Sequence, residues 1–222
     1  MIQPSVLTPA ILALALALPS TAIADAPQGY GAVFRWYERA AEAGDAEAQF
    51  LLALQLEQGL RGAEADLARA EHWYRQAAET GHALSQFRLA LLLQARGGDR
   101  AAAAEAVQWL SAAAAQGIAE AQFNLAVALE SGTGTAADET AAIAWYRAAA
   151  EQGMTAAMYN LGGLLATGDR APLDDVEAYR WLEQAARTGL AEAADLRDRL
   201  ATRMTPEMIA EARGLADGAP KE

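Results

Sequence analysis

One nine-residue phrase recurs five times along the chain, and no other feature constrains the fold as much. It reads WYERAAEAG from Trp36 to Gly44, WYRQAAETG from Trp73 to Gly81 and WLSAAAAQG from Trp109 to Gly117. It returns as WYRAAAEQG from Trp145 to Gly153 and as WLEQAARTG from Trp181 to Gly189. All five tryptophans of the protein fall in it, at intervals of 37, 36, 36 and 36 residues. Each is followed by alanines four and five residues on and by a glycine eight on. A period of this length marks a supersecondary unit that cannot bury its apolar face alone and stacks on its own copies.

The units are helical. Alanine exceeds a quarter of the sequence, and no proline stands between Pro27 and Pro172; alanine is the best helix former and proline the worst. Net charge is −12, with a single lysine, Lys221. Such a surface repels phosphate backbones and anionic headgroups, which argues against nucleic-acid partners. The absence of cysteine removes disulfides and thiolate metal sites.

Residues 1–24 differ in kind. None is charged, Ala10 to Leu18 is apolar, Pro19 and Ser20 break the run, and Ala22-Ile23-Ala24 has the small-x-small form of a leader-peptidase site. The reading is a signal peptide cleaved after Ala24, followed by a linker over 25–29. The apolar run is too short to span a bilayer, which takes about 20 residues. The expected location is the periplasm or the medium, with no stable membrane span after cleavage.

Beyond the linker, Gly29 to Ala43 reads as a helix without a preceding partner, and helix pairs follow. First helices are expected over Ala46–Gln58, Leu84–Ala95, Ala119–Glu130 and Ala156–Ala166, and tryptophan-bearing second helices over Asp66–Thr80, Arg100–Gln116, Asp138–Gln152 and Asp174–Thr188. In the first helices a small residue (Ala48, Ser85, Ala121, Ala157) precedes leucines four and eight positions on (Leu52 and Leu56, Leu89 and Leu93, Leu125 and Leu129, Leu161 and Leu165). That spacing is one helix face, which requires a covering neighbour. Trp36, Trp73, Trp109, Trp145 and Trp181 are expected to fill the core, each costing ~3–5 kcal/mol on truncation. Gly44, Gly81, Gly117, Gly153 and Gly189 stand where a helix ends in the left-handed conformation. Asp66, Asp138 and Asp174, seven residues before a tryptophan, suit N-caps. Ala191–Arg203 aligns with a first helix but is polar, and Thr205-Pro206 opens a last helix to about Ala216.

The pattern A-x-x-x-L-[G/A]…D-x-x-x-A-x-x-W-Y-x-x-A-A-x-x-G resembles the Sel-one-like repeat family, a 36-residue relative of the tetratricopeptide repeat. AQFNLAVALESGTGTAADETAAIAWYRAAAEQG and AMYNLGGLLATGDRAPLDDVEAYRWLEQAARTG match it best. The loop over 95–104 departs in lacking the aspartate seven residues before its tryptophan. Disulfide-bearing members form a subclass that this cysteine-free chain does not match. The resemblance implies an all-α, right-handed solenoid of antiparallel two-helix repeats over residues 30–204, closed by a capping helix and tail over 205–222. It also implies interaction roles: scaffolding of cell-surface assemblies, or host-directed adaptors.

Residues able to do chemistry are sparse. His72 and His82 have no metal-ligand spacing, adjacent Asp174 and Asp175 point apart, and Gly132-Thr133-Gly134 lacks the lysine of a phosphate loop. Ser85 has no base in its motif. No catalytic residue, metal or cofactor is assigned. A concave wall of first helices is the expected binding surface. Beside the buried stripe stand Glu47, Phe50, Leu51 and Leu54; Leu84, Phe87, Arg88 and Leu91; Glu120, Phe123, Asn124 and Val127; then Ala156, Tyr159, Asn160 and Gly163. The aromatics recur and also suit packing between helices, whereas the non-repeating Glu47, Arg88, Glu120, Asn124 and Asn160 are not required by a stack. The expected function is a non-enzymatic module holding a segment of another envelope or secreted protein. Peptidoglycan or glycan binding is the alternative, with weak envelope hydrolysis behind it.

Overall fold

The computed structural model describes residues 30–59, 64–167 and 174–218. The leader, its cleavage site, the linker and the residues after Gly218 lie outside them. Eleven helices and no strand occur among the described residues. First helices are α2 (Ala46–Gln58), α4 (Ala83–Ala95), α6 (Ala119–Ser131), α8 (Thr155–Thr167) and α10 (Ala191–Ala201). Second helices are α1 (Tyr30–Glu42), α3 (Leu67–Glu79), α5 (Arg100–Ala115), α7 (Glu139–Glu151), α9 (Asp175–Arg187) and α11 (Pro206–Asp217). From α1 to α10 each helix packs on its chain neighbours. These neighbours make the α-solenoid that the repeat requires.

The leucine stripe is the spine of the core. Leu52, Leu89 and Leu161 are fully buried and Leu125 nearly so, beneath the equally buried Ala48, Ser85, Ala121 and Ala157. Truncating one such leucine to alanine costs about 2–5 kcal/mol. The tryptophans behave differently from expectation. Only Trp181 is buried; Trp36, Trp73, Trp109 and Trp145 are half-buried, whereas the residues that follow Trp73, Trp109, Trp145 and Trp181, namely Tyr74, Leu110, Tyr146 and Leu182, are fully enclosed. One residue is a turn of about 100°, which takes the half-buried indoles from the pair's interior to its margin. There Trp109 donates to Glu105 at 3.2 Å, and the buried Trp181 makes the same bond to Glu177 at 3.1 Å. The margin is a seam: Trp73 touches both the first core cluster (Ala41, Ala48, Leu52) and the second, and Trp145 touches the second and third.

The glycine turns follow expectation. Gly44, Gly81, Gly117, Gly153 and Gly189 have φ between 88° and 97° with nothing near a notional Cβ, so the backbone and not the space selects glycine. At Gly81 its N–H donates to the Ala78 carbonyl at 2.9 Å and that of His82 to Ala77 at 3.1 Å, the paired bonds of a Schellman turn. Asp66, Asp138 and Asp174 cap α3, α7 and α9. Asp99 caps α5 three residues earlier in register, so α5 gains a turn over its 13-residue counterparts. Asp174 and Asp175 diverge as expected: the first caps, the second accepts from Arg203 at 3.0 Å.

A polar staple runs beside the core. Buried Gln49, Gln86 and Gln122 donate to the Ala41, Ala78 and Ala114 carbonyls of the preceding second helix, at 3.0–3.2 Å. Gln116 and Gln152 then donate to Gln86 and Gln122 at 2.8 Å. Thr80 stands where those two glutamines stand, turns its hydroxyl onto Ala77, and leaves the Gln49 Oε1 atom without a partner.

The last helix leaves the register. Thr205 caps it and Pro206 begins it, as expected. It lies across α9, with Met208 and Ile209 on the third cluster and Arg187 paired to Asp217 at 2.7 Å.

Two substitutions test this account. Thr80→Gln is expected to satisfy the orphaned Gln49 amide and raise stability by up to about 1 kcal/mol, read as a higher urea midpoint with an unchanged slope. Gly134 has φ +76° and a notional Cβ 2.3 Å from the Ala103 carbonyl oxygen, in the extra turn of α5. Gly134→Ala is therefore expected to cost about 2–3 kcal/mol, against about 1–2 kcal/mol for Gly153→Ala, which meets only the left-handed backbone penalty.

Candidate functional site

The wall made by α2, α4, α6 and α8 holds every residue expected to bind, but not all face outward. Phe50 and Leu54 are 7% and 6% exposed. They belong to the core: the Phe50 ring lies 5.9 Å from Tyr74 and 5.1 Å from His82. Their expected place on an open wall is corrected: both are buried, and the Phe50 ring turns towards the second helix of its own unit. Leu84, Phe87, Phe123 and Tyr159 are half-buried and pack on the core clusters, with Phe123 tilted against Tyr146 at 5.7 Å. Glu47 and Glu120 are exposed, and Val127 is 38% exposed. Asn124 donates to the Glu120 carbonyl of its own helix at 2.8 Å.

Arg88 and Asn160 enter two related clusters. Tyr74 donates to Glu57 Oε2 at 2.7 Å, and Arg88 lies 3.6 Å from the other oxygen of that carboxylate. Two units on, Tyr146 donates to Glu130 Oε2 at 2.7 Å, and Asn160 donates to the Tyr146 hydroxyl at 3.2 Å. Burial, reinforced by Glu57, pushes the Tyr74 phenol far above its ordinary range. Burial and Glu130 do the same to Tyr146, against the opposing bond from Asn160. Both hydroxyls thus stay protonated and donate to a carboxylate at any physiological pH.

These four anchoring residues were missed in the sequence, although a signal was present. Tyrosine after tryptophan occurs with glutamate near the end of the first helix (Glu57 with Tyr74, Glu130 with Tyr146), and both are lost together in the units carrying Leu110 and Leu182.

A second surprise concerns Ser85. His82 Nδ1 lies 2.9 Å from the Ser85 hydroxyl and its Nε2 lies 3.2 Å from Glu47 Oε2. Sequence reading placed no base beside this serine; the fold brings one from the preceding turn. Yet Ser85 is fully buried, and His82 Nδ1 accepts the Ser85 backbone N–H at 3.3 Å. The arrangement is an N-cap on α4 tied to the neighbouring unit through Glu47, with no access for a substrate. His72 is exposed, edge-on to Trp73, and borders a 610 Å³ surface cavity with Glu71, Arg75 and Arg96. Among the described residues no cluster of histidine and carboxylate side chains could hold a metal ion, and no helix is long and apolar enough to cross a membrane.

Comparison with known proteins places this architecture. The profile described as Sel1 repeat matches residues 34–45, 46–82, 83–118, 119–154 and 155–190. A protective antigen of uropathogenic Escherichia coli displaying an SLR fold is 33% identical with a TM-score of 0.73, over 83% of this chain. The chain spans only 40% of that antigen's length. A Sel1 repeat protein from Oxalobacter formigenes is 27% identical with a TM-score of 0.64, over 85% of this chain and 79% of its own. No curated protein matches. Sel1 repeats are typically protein–protein interaction modules. With five consecutive units and the helix pairs they prescribe, the chain belongs to the Sel1 repeat family.

Proposed function

We propose that this protein is a non-enzymatic interaction module of the bacterial envelope, exported by residues 1–24 and cleaved after Ala24. The wall of α2, α4, α6 and α8, read as the concave face, holds a segment of another envelope or secreted protein. One observation carries the reading: one position of the wall, half-buried in every unit, changes between apolar, cationic and amide side chains. Leu51, Arg88, Asn124 and Asn160 share one repeat position, and a stack needs no such variety there. Half-buried rings between them offer apolar contact beside hydrogen-bonding groups, as suits an extended peptide. Glycan binding is the second reading, favoured by Asn124 following the half-exposed Phe123 ring. Hydrolysis finds little support, since the serine beside a histidine is enclosed.

Crosslinking and pulldown from envelope extract, with wild type against Phe87→Ala/Asn124→Ala, separates these readings. The double variant is expected to stay folded, losing about 1–3 kcal/mol from the half-buried ring, and to lose its crosslinked protein. Retrieval of the same proteins by a folded double variant would remove the wall as the site, and retention on purified peptidoglycan would favour the glycan reading. Residues 1–40 fused to a reporter active only outside the cytoplasm are expected to give signal.

A further inference from the structure

The two tyrosine–glutamate clusters are built alike, but among the described residues only one holds its own cation. Glu57 receives the Tyr74 hydroxyl and faces Arg88, supplied by the first helix of the next unit. Glu130 receives the Tyr146 hydroxyl, and the residue supplied from the next unit is Asn160. Arg88 and Asn160 occupy the same repeat position, fifth from the small residue of their helices, counting the small residue as second. Asn160 spends its amide on the tyrosine and brings no charge. Among the described residues no arginine pairs with Glu130, whose side chain is exposed on the wall. One turn earlier on α6, on the same flank, stands Val127, one of three large hydrophobic residues that the described chain exposes. Tyr146, itself held by Asn160, fixes Oε2 of the carboxylate, so Glu130 Oε1 remains available in a held position. A carboxylate oriented in this way selects a guanidinium or ammonium group.

We propose that Glu130, oriented by Tyr146 and Asn160, receives an arginine or lysine of the bound segment, with Val127 taking an apolar neighbour of that residue. The proposal rests on the reading of the wall as a peptide-binding face. The occupant is an extended polypeptide of another protein with a basic residue next to an apolar one. The acidic balance of the chain, −12 overall, draws such a segment in and makes its association salt-dependent. The Tyr74–Glu57–Arg88 cluster supplies the internal precedent, since the fold itself places an arginine on the equivalent carboxylate.

The exchange of Arg88 and Asn160 provides the test. Random dodecapeptides displayed on phage are selected on the purified full chain and on three variants: Glu130→Gln, Asn160→Arg and Arg88→Asn. Circular dichroism establishes that each is folded. Wild type is expected to enrich peptides with one basic residue beside an apolar one. Glu130→Gln keeps an acceptor for Tyr146 but removes the charge, and selected peptides are expected to bind it about threefold to fivefold more weakly. Asn160→Arg supplies the cation internally and is expected to abolish the basic preference, while Arg88→Asn frees Glu57 and adds a second basic position. Enriched peptides without a basic residue, or a basic preference that survives both Glu130→Gln and Asn160→Arg, would overturn the assignment while leaving peptide binding by the wall intact. Peptides that bind Phe87→Ala/Asn124→Ala as well as wild type, or no selected peptide at all, would count against the wall and the assignment together.

Discussion

The structure depends on how closely one helix backbone can approach the next. The alanine pair that ends each second helix sets that distance, because a larger side chain there would hold the following first helix away. Ala77, Ala78, Ala113, Ala114, Ala149 and Ala150 are all at or near zero exposure. Their carbonyls serve several donors once the approach is made. Ala78 accepts the Gly81 N–H at 2.9 Å and the Gln86 amide at 3.1 Å; Ala114 accepts from Gly117 and Gln122 at 3.0 and 3.2 Å. Turn, staple and core are therefore one construction. The glycine that reverses the chain and the glutamine that bolts the next helix both need the small residue between them.

Charge plays a lesser part in holding units together. Arg147 grips Glu177 through two bonds of 3.0 and 2.9 Å across successive second helices, Arg187 and Asp217 repeat that spacing near the C-terminus, and Arg75 pairs with Glu105 in the same way. Partly exposed pairs of this kind contribute about 0–1 kcal/mol each. They orient neighbouring units more than they stabilise them, and the buried leucines and alanines supply most of the cohesion.

Much of this was legible in the residues. The period, the helix pairs, the small-residue and leucine stripe, the turn glycines and the aspartate caps all follow from local rules that depend on neighbours in sequence. The positions of Phe50 and Leu54 did not, because helix spacing does not tell which flank of the stripe turns to the partner helix. Trp36, Trp73, Trp109 and Trp145 were assigned to the interior on size alone, although an indole N–H favours a margin where it meets a carboxylate or water. The Ser85–His82–Glu47 line and the Tyr146–Glu130–Asn160 cluster join different helices, and only the stacking of units assembles them. In the second case the signal lay in co-occurrence between units, which a search for local motifs passes over.

The three core clusters have unequal size, and that inequality matters for how the molecule comes apart. Among the described side chains the first holds Ala41, Ala48 and Leu52, whereas the third runs from Ala126 to Ala212 and is closed by α11 lying over α9. Because stacked units cooperate mainly with their nearest neighbours, amide protons of α1 and α2 should exchange with solvent well before those of α7 to α9. Opening then travels in one direction, from the thin end toward the sealed one. α8 and α9 stay ordered longest while the opposite end breathes.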